Sequence, residues 1–292
     1  MPRLDSPFRL LALLALLALP GCTRVVELDL PEGPRRLVVD ARIELRNWGN
    51  PGEQRIVLTT TDAVTGVGAT PAATGAVVRV EGQPGESYLF TERQRGSGEY
   101  LHGSFTPVVG RRYTLLIDYQ GDRYRATSTL LPVAPIEELY FVYQEASLGS
   151  EAGYRATIDY ADPPGVNNFY FWELSVDGRR RAQIDPGTRF RILSADRFYD
   201  GGRIVGYTPF DEEVLLPGQH VQIRQVALSE DAYRYYFVLL EQMTGGGNPF
   251  AAPPVSVRGN VVNLTTPSRV PLGYFLAAES FGASAVVPPP IR

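Results

Sequence analysis

Between Arg36 and Leu131 the chain keeps returning to a period of two, broken by turn-forming residues roughly every 8 to 15 positions, and this pattern restricts it to short strands. The clearest case is Arg112 to Tyr119, where Tyr113, Leu115, Ile117 and Tyr119 alternate with Thr114, Leu116 and Asp118, giving one apolar and one mixed face. Strands are predicted at Leu37 to Glu44, Arg55 to Thr61, Ala76 to Glu81, Ser87 to Thr91, Tyr100 to Phe105, Arg112 to Tyr119 and Arg123 to Leu130. Gly121 and Asp122 fit the central positions of a type II′ hairpin turn, so the last two should pair. About seven strands in this length suit an immunoglobulin-like or transthyretin-like β-sandwich.

Pro132 and Pro135 mark a domain boundary, because proline cannot donate to a sheet ladder and stiffens a linker. Beyond it, aromatic strands resume at Glu138 to Gln144, Tyr154 to Tyr160, Asn168 to Val176 and Gln219 to Leu228, with Asp177 and Gly178 as a second hairpin signal. One segment departs from the period of two. Ser229, then Glu230 and Asp231, then Ala232 to Met243 without Gly or Pro, then Gly245 to Gly247, read as a capped and terminated α-helix. Tyr233, Tyr236, Phe237, Leu240 and Met243 make a stripe that should pack on a sheet. Asn248 to Arg258 is proline-rich and extended, and Gly273 to Glu279 and Ala283 to Val287 supply closing strands. The fold class is therefore all-β, with sandwich-like domains at 36–131 and 136–287 and a single helix near 230–243 in the second.

The first 21 residues have the order of a secretory signal: Arg3 and Arg9, an apolar run from Leu10 to Leu19, then Pro20 and Gly21 before Cys22. Ten apolar residues rise only about 15 Å as a helix, half of the roughly 30 Å of a bilayer core. Leu19, Pro20, Gly21 and Cys22 resemble a bacterial lipobox, with Pro20 in place of the usual small residue. Cys22 is the one cysteine in the sequence, and a lone thiol in an oxidising compartment is better explained by lipidation than by a disulfide. The expected product is a chain anchored to a membrane through lipid on Cys22, with 22–35 as a tether.

Several chemistries find no support. The net charge is −4, which lacks the electrostatic footprint of a nucleic-acid binder. All 28 basic residues are arginine, a bias that carries no site by itself. His102 and His220 stand alone on separate strands, without the short ligand spacing of a zinc site. No GxSxG elbow occurs, and the glycines at 96–98 and 245–247 lack the residues of a phosphate-binding loop. A weak calcium candidate remains at Asp159 and Asp162, near Asn167 and Asn168, since hard oxygen ligands are what Ca²⁺ selects; the turn formers Pro163, Pro164 and Gly165 offer a plainer reading. Glu212 and Glu213 read as a solvated pair. Sixteen tyrosines and 13 phenylalanines exceed what a small core needs, which leaves rings for a partner or a sugar-like ligand. No catalytic residue and no cofactor is expected.

The early "LVVDARIEL", then "GAVVRV", "GEYLHGSF" and "GRRYTLLIDY", continue with "ATIDYADPPGVNNFYFWEL", "SEDAYRYYFVLLEQM", "NPFAAPPVSVRGNVVN" and "LGYF". Together with the lipobox-like cysteine, this run from Cys22 to Val287 resembles a family of lipoproteins from Bacteroidetes-type Gram-negative bacteria, domain of unknown function 4249. The motifs are structural, so no catalytic residue is carried over. The resemblance implies an outer-membrane lipoprotein encoded beside a TonB-dependent transporter. Thr23 lacks the aspartate that retains lipoproteins at the inner membrane, and Arg24 precedes the acids Glu27 and Asp29, so the leaflet is open.

These readings lead to a non-enzymatic accessory of a TonB-dependent transporter that captures or gates a small molecule. A structural or adhesin-like module binding a polymer is the alternative, and a hydrolase with a dispersed site a distant third. The second domain should carry the partner contact, because irregular segments on a rigid scaffold are where binding resides. Phe250, in the proline-rich stretch, is the candidate anchor.

Overall fold

A computed structural model describes residues 33–48, 52–62, 69–103, 105–181, 192–197, 199–244 and 257–289. Cys22, Phe250 and the proline-rich stretch up to residue 256 lie outside the described residues. Met1–Pro34 group as one unit and Arg35–Arg292 as another, and the described strands and helix all belong to the second.

The first seven strands are β1 (Leu37–Arg46), β2 (Gln54–Thr60), β3 (Val77–Glu81), β4 (Ser87–Glu92), β5 (Glu99–His102), β6 (Arg112–Tyr119) and β7 (Asp122–Thr129). They pair in the order β1-β2-β5-β4-β3-β6-β7. β4 pairs with both β5 and β3, so the path folds over and encloses a core. Alternation fills that core as the sequence requires: Val39, Ala41 and Ile43 from β1, Ile56 and Leu58 from β2, Val78 and Val80 from β3, Tyr113, Leu115 and Ile117 from β6.

The hairpin turn differs by one residue from the expectation. Tyr119 pairs with Asp122, and Gln120 (φ 48) and Gly121 (φ 82) both have positive φ, which is a type I′ turn. Asp122 is drawn into β7 because its carboxylate accepts hydrogen bonds from Thr266 Oγ1 at 2.8 Å and Tyr124 Oη at 3.4 Å. Asp177 (φ 52) and Gly178 (φ 74) form the second hairpin in the same way, closing Val176 onto Arg179.

The remaining strands are β8 (Ile136–Gln144), β9 (Gly153–Ala161), β10 (Phe169–Val176), β11 (Arg179–Arg181), β12 (Leu193–Ala195), β13 (Arg203–Tyr207), β14 (His220–Leu228), β15 (Val262–Asn263) and β16 (Leu272–Val286). The helix α1 spans Glu230–Thr244. The two closing strands expected from sequence are one 15-residue strand. β16 runs parallel to β1 from Leu272 to Ser280 and antiparallel to β14 from Ser280 to Val286. Its small, polar middle is where the pairing partner changes. Gly273 (φ +95) opens the parallel stretch, and a Cβ there would strike the backbone of Val39, so β1 can approach only a glycine.

β16 also bears on the boundary at Pro132 and Pro135. The first core includes Val261, Phe275 and Ala277, and β16 carries the sheet onward to β14, β10 and β11. The chain leaves the first sandwich near residue 131, while the sheet itself runs on through β16.

Beyond β16 the sheet is covered on both faces. On one side the three-stranded sheet β13-β9-β8 packs Tyr154, Ile158 and Tyr160 against Tyr170, Trp172, Leu174, Val221 and Ile223. On the other, α1 sets Tyr233, Tyr236, Phe237 and Leu240 on Phe169, Phe171, Val226, Leu228 and Leu276. A strand covered on both faces reads as a continuous apolar run, which is why residues 169–174 are all buried. Ser229 caps α1, its Oγ accepting from Ala232 N at 3.2 Å, worth about 1 kcal/mol. Met243, expected in the packing stripe, is 64 % exposed and stands outside the cluster that α1 makes with the sheet. No helix among the described residues is long and apolar enough to cross a membrane.

Candidate functional site

The structure separates the two aspartates singled out in the sequence. Asp159 accepts from Tyr140 Oη at 3.2 Å and Gly206 N at 2.9 Å. Asp162 instead gathers with Asp196 and Asp200, their carboxylate oxygens within 4.8 Å of one another. Three carboxylates make a hard-oxygen donor set, but each already accepts from the protein. Asp162 takes Tyr170 Oη at 3.0 Å and Gly201 N at 3.3 Å, Asp196 takes Asn168 N at 2.8 Å, and Asp200 takes Gly165 N at 2.7 Å. The cluster ties the loop after β9 to the loop after β12. Burial, with the charge of Asp196, raises the Asp162 carboxyl above its ordinary value.

Between β12, the loop after it and α1 lies a cleft of about 600 Å³. β12 pairs with the start of β10 and brings Leu193, Ser194 and Ala195 alongside α1. Tyr199 and Tyr207 enter from the loop after β12 and from β13, and Tyr233, Phe237 and Val238 from the helix. The four rings are half-buried, while Arg197 and Arg234 are exposed. Arg234 pairs with Glu230 one turn earlier, at 2.6 Å.

The cleft floor is held by a chain of hydroxyls. Trp172 Nε1 donates to Ser194 Oγ at 2.9 Å, and Tyr199 is hydrogen-bonded to Tyr160 and Ser194. Behind them, Tyr160, Trp172 and Tyr207 pack with ring centroids 5.4 to 6.3 Å apart, the tilted and edge-on spacing that aromatic quadrupoles favour. Burial raises the Tyr199, Tyr160 and Tyr170 hydroxyls, and each is engaged within the protein, Tyr170 with Asp162 and Tyr199 with Tyr160 and Ser194. The aromatic walls suit stacking on a flat or ring-shaped ligand.

A third polar group sits on the α1 face of the sheet. Glu173 on β10 accepts from Arg42 at 3.1 Å and Arg180 at 2.6 Å, and contacts Arg224. Arg224 reaches Glu44 Oε1 at 3.1 Å, and Arg46 lies 3.5 Å from Glu44. Burial acts to raise the Glu44 carboxyl, but Arg224 and then Arg42 outweigh it and hold it below the usual range. Burial, reinforced by Arg42 and Arg46 and opposed by Glu44, brings Arg224 down to about 10.

Among the sequence candidates, His102 belongs to an aromatic cluster, 5.6 Å from Tyr88 and from Phe90 between ring centroids. Asp196, Tyr199 and Tyr207 carried no signal: they meet Asp162 and α1 only through long-range folding. Tyr233 and Phe237, expected in the core from their stripe, are core on one side and cleft wall on the other.

The chain belongs to the family described as a domain of unknown function, DUF4249, whose model matches residues 23–281. No curated protein sequence matches it.

Proposed function

We propose that the chain is a lipid-anchored envelope protein that captures a small ligand in the aromatic cleft and serves a TonB-dependent transporter as a non-catalytic accessory. The cleft carries this reading. It is open, walled by Tyr199, Tyr207, Tyr233 and Phe237, and built on the seam between a rigid sheet and the helix, the kind of position where ligand sites concentrate. The anchor rests on Cys22 and its lipobox-like context, and the transporter on what the family resemblance implies. An adhesin-like module would need no such cleft, which favours capture of a small molecule.

Two outcomes are expected from the full-length chain in its native membranes. Cys22→Ser should release it into soluble fractions or leave uncleaved precursor; normal retention with normal acyl labelling contradicts the anchor. Detergent extraction and affinity capture should recover a TonB-dependent transporter by mass spectrometry. Recovery of surface polymer and no transporter would replace this reading with the adhesin-like one.

A further inference from the structure

The arginine group on the α1 face of the sheet is unbalanced in charge and in hydrogen bonding. Arg42, Glu44 and Arg46 alternate along β1 with the core-facing Ala41, Ile43 and Leu45, and meet Arg224 of β14, Glu173 of β10 and Arg180 of β11. Four guanidiniums therefore share two nearly closed carboxylates, Glu44 and Glu173, whose side chains are 4 % and 5 % exposed. Asp40 acts on Arg42 and Arg180 only at longer range, and positive charge is in surplus.

Two buried donors at one end of the group have no acceptor: Arg46 Nε and Trp48 Nε1. Arg46 Nε forms its 3.5 Å ion pair with Glu44 without a hydrogen bond. Trp48 is placed by Gly282, since a Cβ at Gly282 would collide with the indole, and Gly282 is the register partner of Arg224. The indole ring therefore packs on Gly282, and the register partners of Ser280 and Gly282 are Arg46 and Arg224, which puts both arginines on strands beside the ring. An indole and a guanidinium only donate, so the missing complement is a group that only accepts and carries negative charge. Guanidiniums match carboxylate and phosphate oxygens in geometry as well as charge. The side chains of Arg46 and Arg224 remain 29 % and 19 % exposed, while Arg46 Nε and Trp48 Nε1 are closed to solvent, so an anion reaches these two donors only when the side chains over them shift.

We propose that Arg46, Trp48 and Arg224 form a binding site for the oxyanion, carboxylate or phosphate, of a small ligand. The site is distinct from the aromatic cleft and does not depend on its occupancy. Glu44 and Glu173 orient the guanidiniums, and the anion supplies the acceptor that Arg46 Nε and Trp48 Nε1 lack.

The sequence contains two tryptophans, and they make the test direct. Trp172 Nε1 is already bonded to Ser194, so its indole signal is an internal control. In the full-length chain labelled with ¹⁵N-tryptophan, inorganic phosphate and succinate are titrated separately at constant ionic strength. The Trp48 indole signal should move saturably with at least one of them while the Trp172 signal stays in place. The anion that saturates at lower concentration identifies the oxyanion class. Arg46→Gln should weaken the response about tenfold or more, the loss expected for a hydrogen bond to a charged group. Since Arg224 also braces Glu44, a second variant avoids it: Trp48→Phe keeps the ring and removes the N–H, and should bind the same anion about tenfold more weakly by calorimetry. A Trp48 signal indifferent to both anions, or undiminished affinity in Arg46→Gln and Trp48→Phe, overturns the site.

Discussion

Glu44 and Asp162 are each only 3 % exposed, yet their surroundings drive them in opposite directions. Glu44 lies among three guanidiniums from two strands, which hold its carboxyl below the usual range. Asp162 faces Asp196 and Asp200, and its other partners are a phenol and a backbone amide. Burial alone raises both carboxyls; the neighbours decide in which direction each finally moves. The first cluster joins strands by charge, whereas the second joins loops through hydrogen bonds that a neutral side chain can also accept.

The largest effect that would sharpen this contrast is expected from Glu173→Ala. Removing it takes the carboxylate from Arg42 and Arg180 and leaves Arg224 to Glu44 alone, and breaking a buried ion pair costs about 3–5 kcal/mol. Tyr170 and Gly201 donate to different oxygens of Asp162, so Asp162→Asn keeps the acceptor for Gly201 and turns an amide N–H toward the Tyr170 hydroxyl, which can accept it; the variant should lie within about 1 kcal/mol of the parent. Urea midpoints measure both, and equal losses would erase the distinction.

Next in size is the response to pH. Glu44 has a lowered folded pKa, so its stabilisation is present above the ordinary carboxylate value and is lost as pH falls through the lowered one. The deficit of Glu44→Gln should therefore be full at neutral pH and shrink in acid. Asp162 has a raised folded pKa, so its contribution is present in acid and is lost as pH rises through the raised value. Asp162→Asn should gain on the parent as pH rises toward neutral. Melting curves between about pH 3 and 7 test the two signs, and parallel profiles would break the comparison.

Gln225 offers a smaller contrast, a buried amide with neither kind of neighbour. It is 0 % exposed, and neither side-chain polar atom has a partner. Gln225→Leu should stabilise by about 1 kcal/mol, since an apolar side chain of similar size removes the unpaired groups. Destabilisation would mean that the amide is satisfied in solution.

The smallest effect is expected from calcium. Because Asp162, Asp196 and Asp200 already accept from Tyr170, Gly201, Asn168 and Gly165, millimolar Ca²⁺ should shift the melting temperature by no more than about 1 °C. A rise of several degrees would indicate ligand linkage and turn the loop tie into a cation site.

Local chemistry was legible in the sequence wherever the cause was local. The alternation of Tyr113, Leu115 and Ile117 gave β6 its bounds, and Ser229 with Glu230 and Asp231 marked the start of α1. Gly121 announced a turn, but choosing type I′ over II′ depended on Asp122 meeting Thr266, 144 residues away. The same limit hid the polar clusters. Glu44 and Arg224 are 180 positions apart, and nothing near either one marks the pairing. A chain in which every basic residue is arginine also conceals which few are selected. The long β16 was missed for a different reason: Ser280, Phe281 and Gly282 look like a break, and they are a break in partner rather than in strand.

Capture in the cleft is tested most directly by native mass spectrometry of the full-length chain, released from its own membranes without exchange of bound molecules. A single small-molecule adduct is expected on the parent chain, and its loss is expected in a Tyr207→Ala, Tyr233→Ala double variant that keeps the parent melting temperature to within a few degrees. A parent chain that carries no adduct, or a variant that retains it, contradicts the assignment of the cleft.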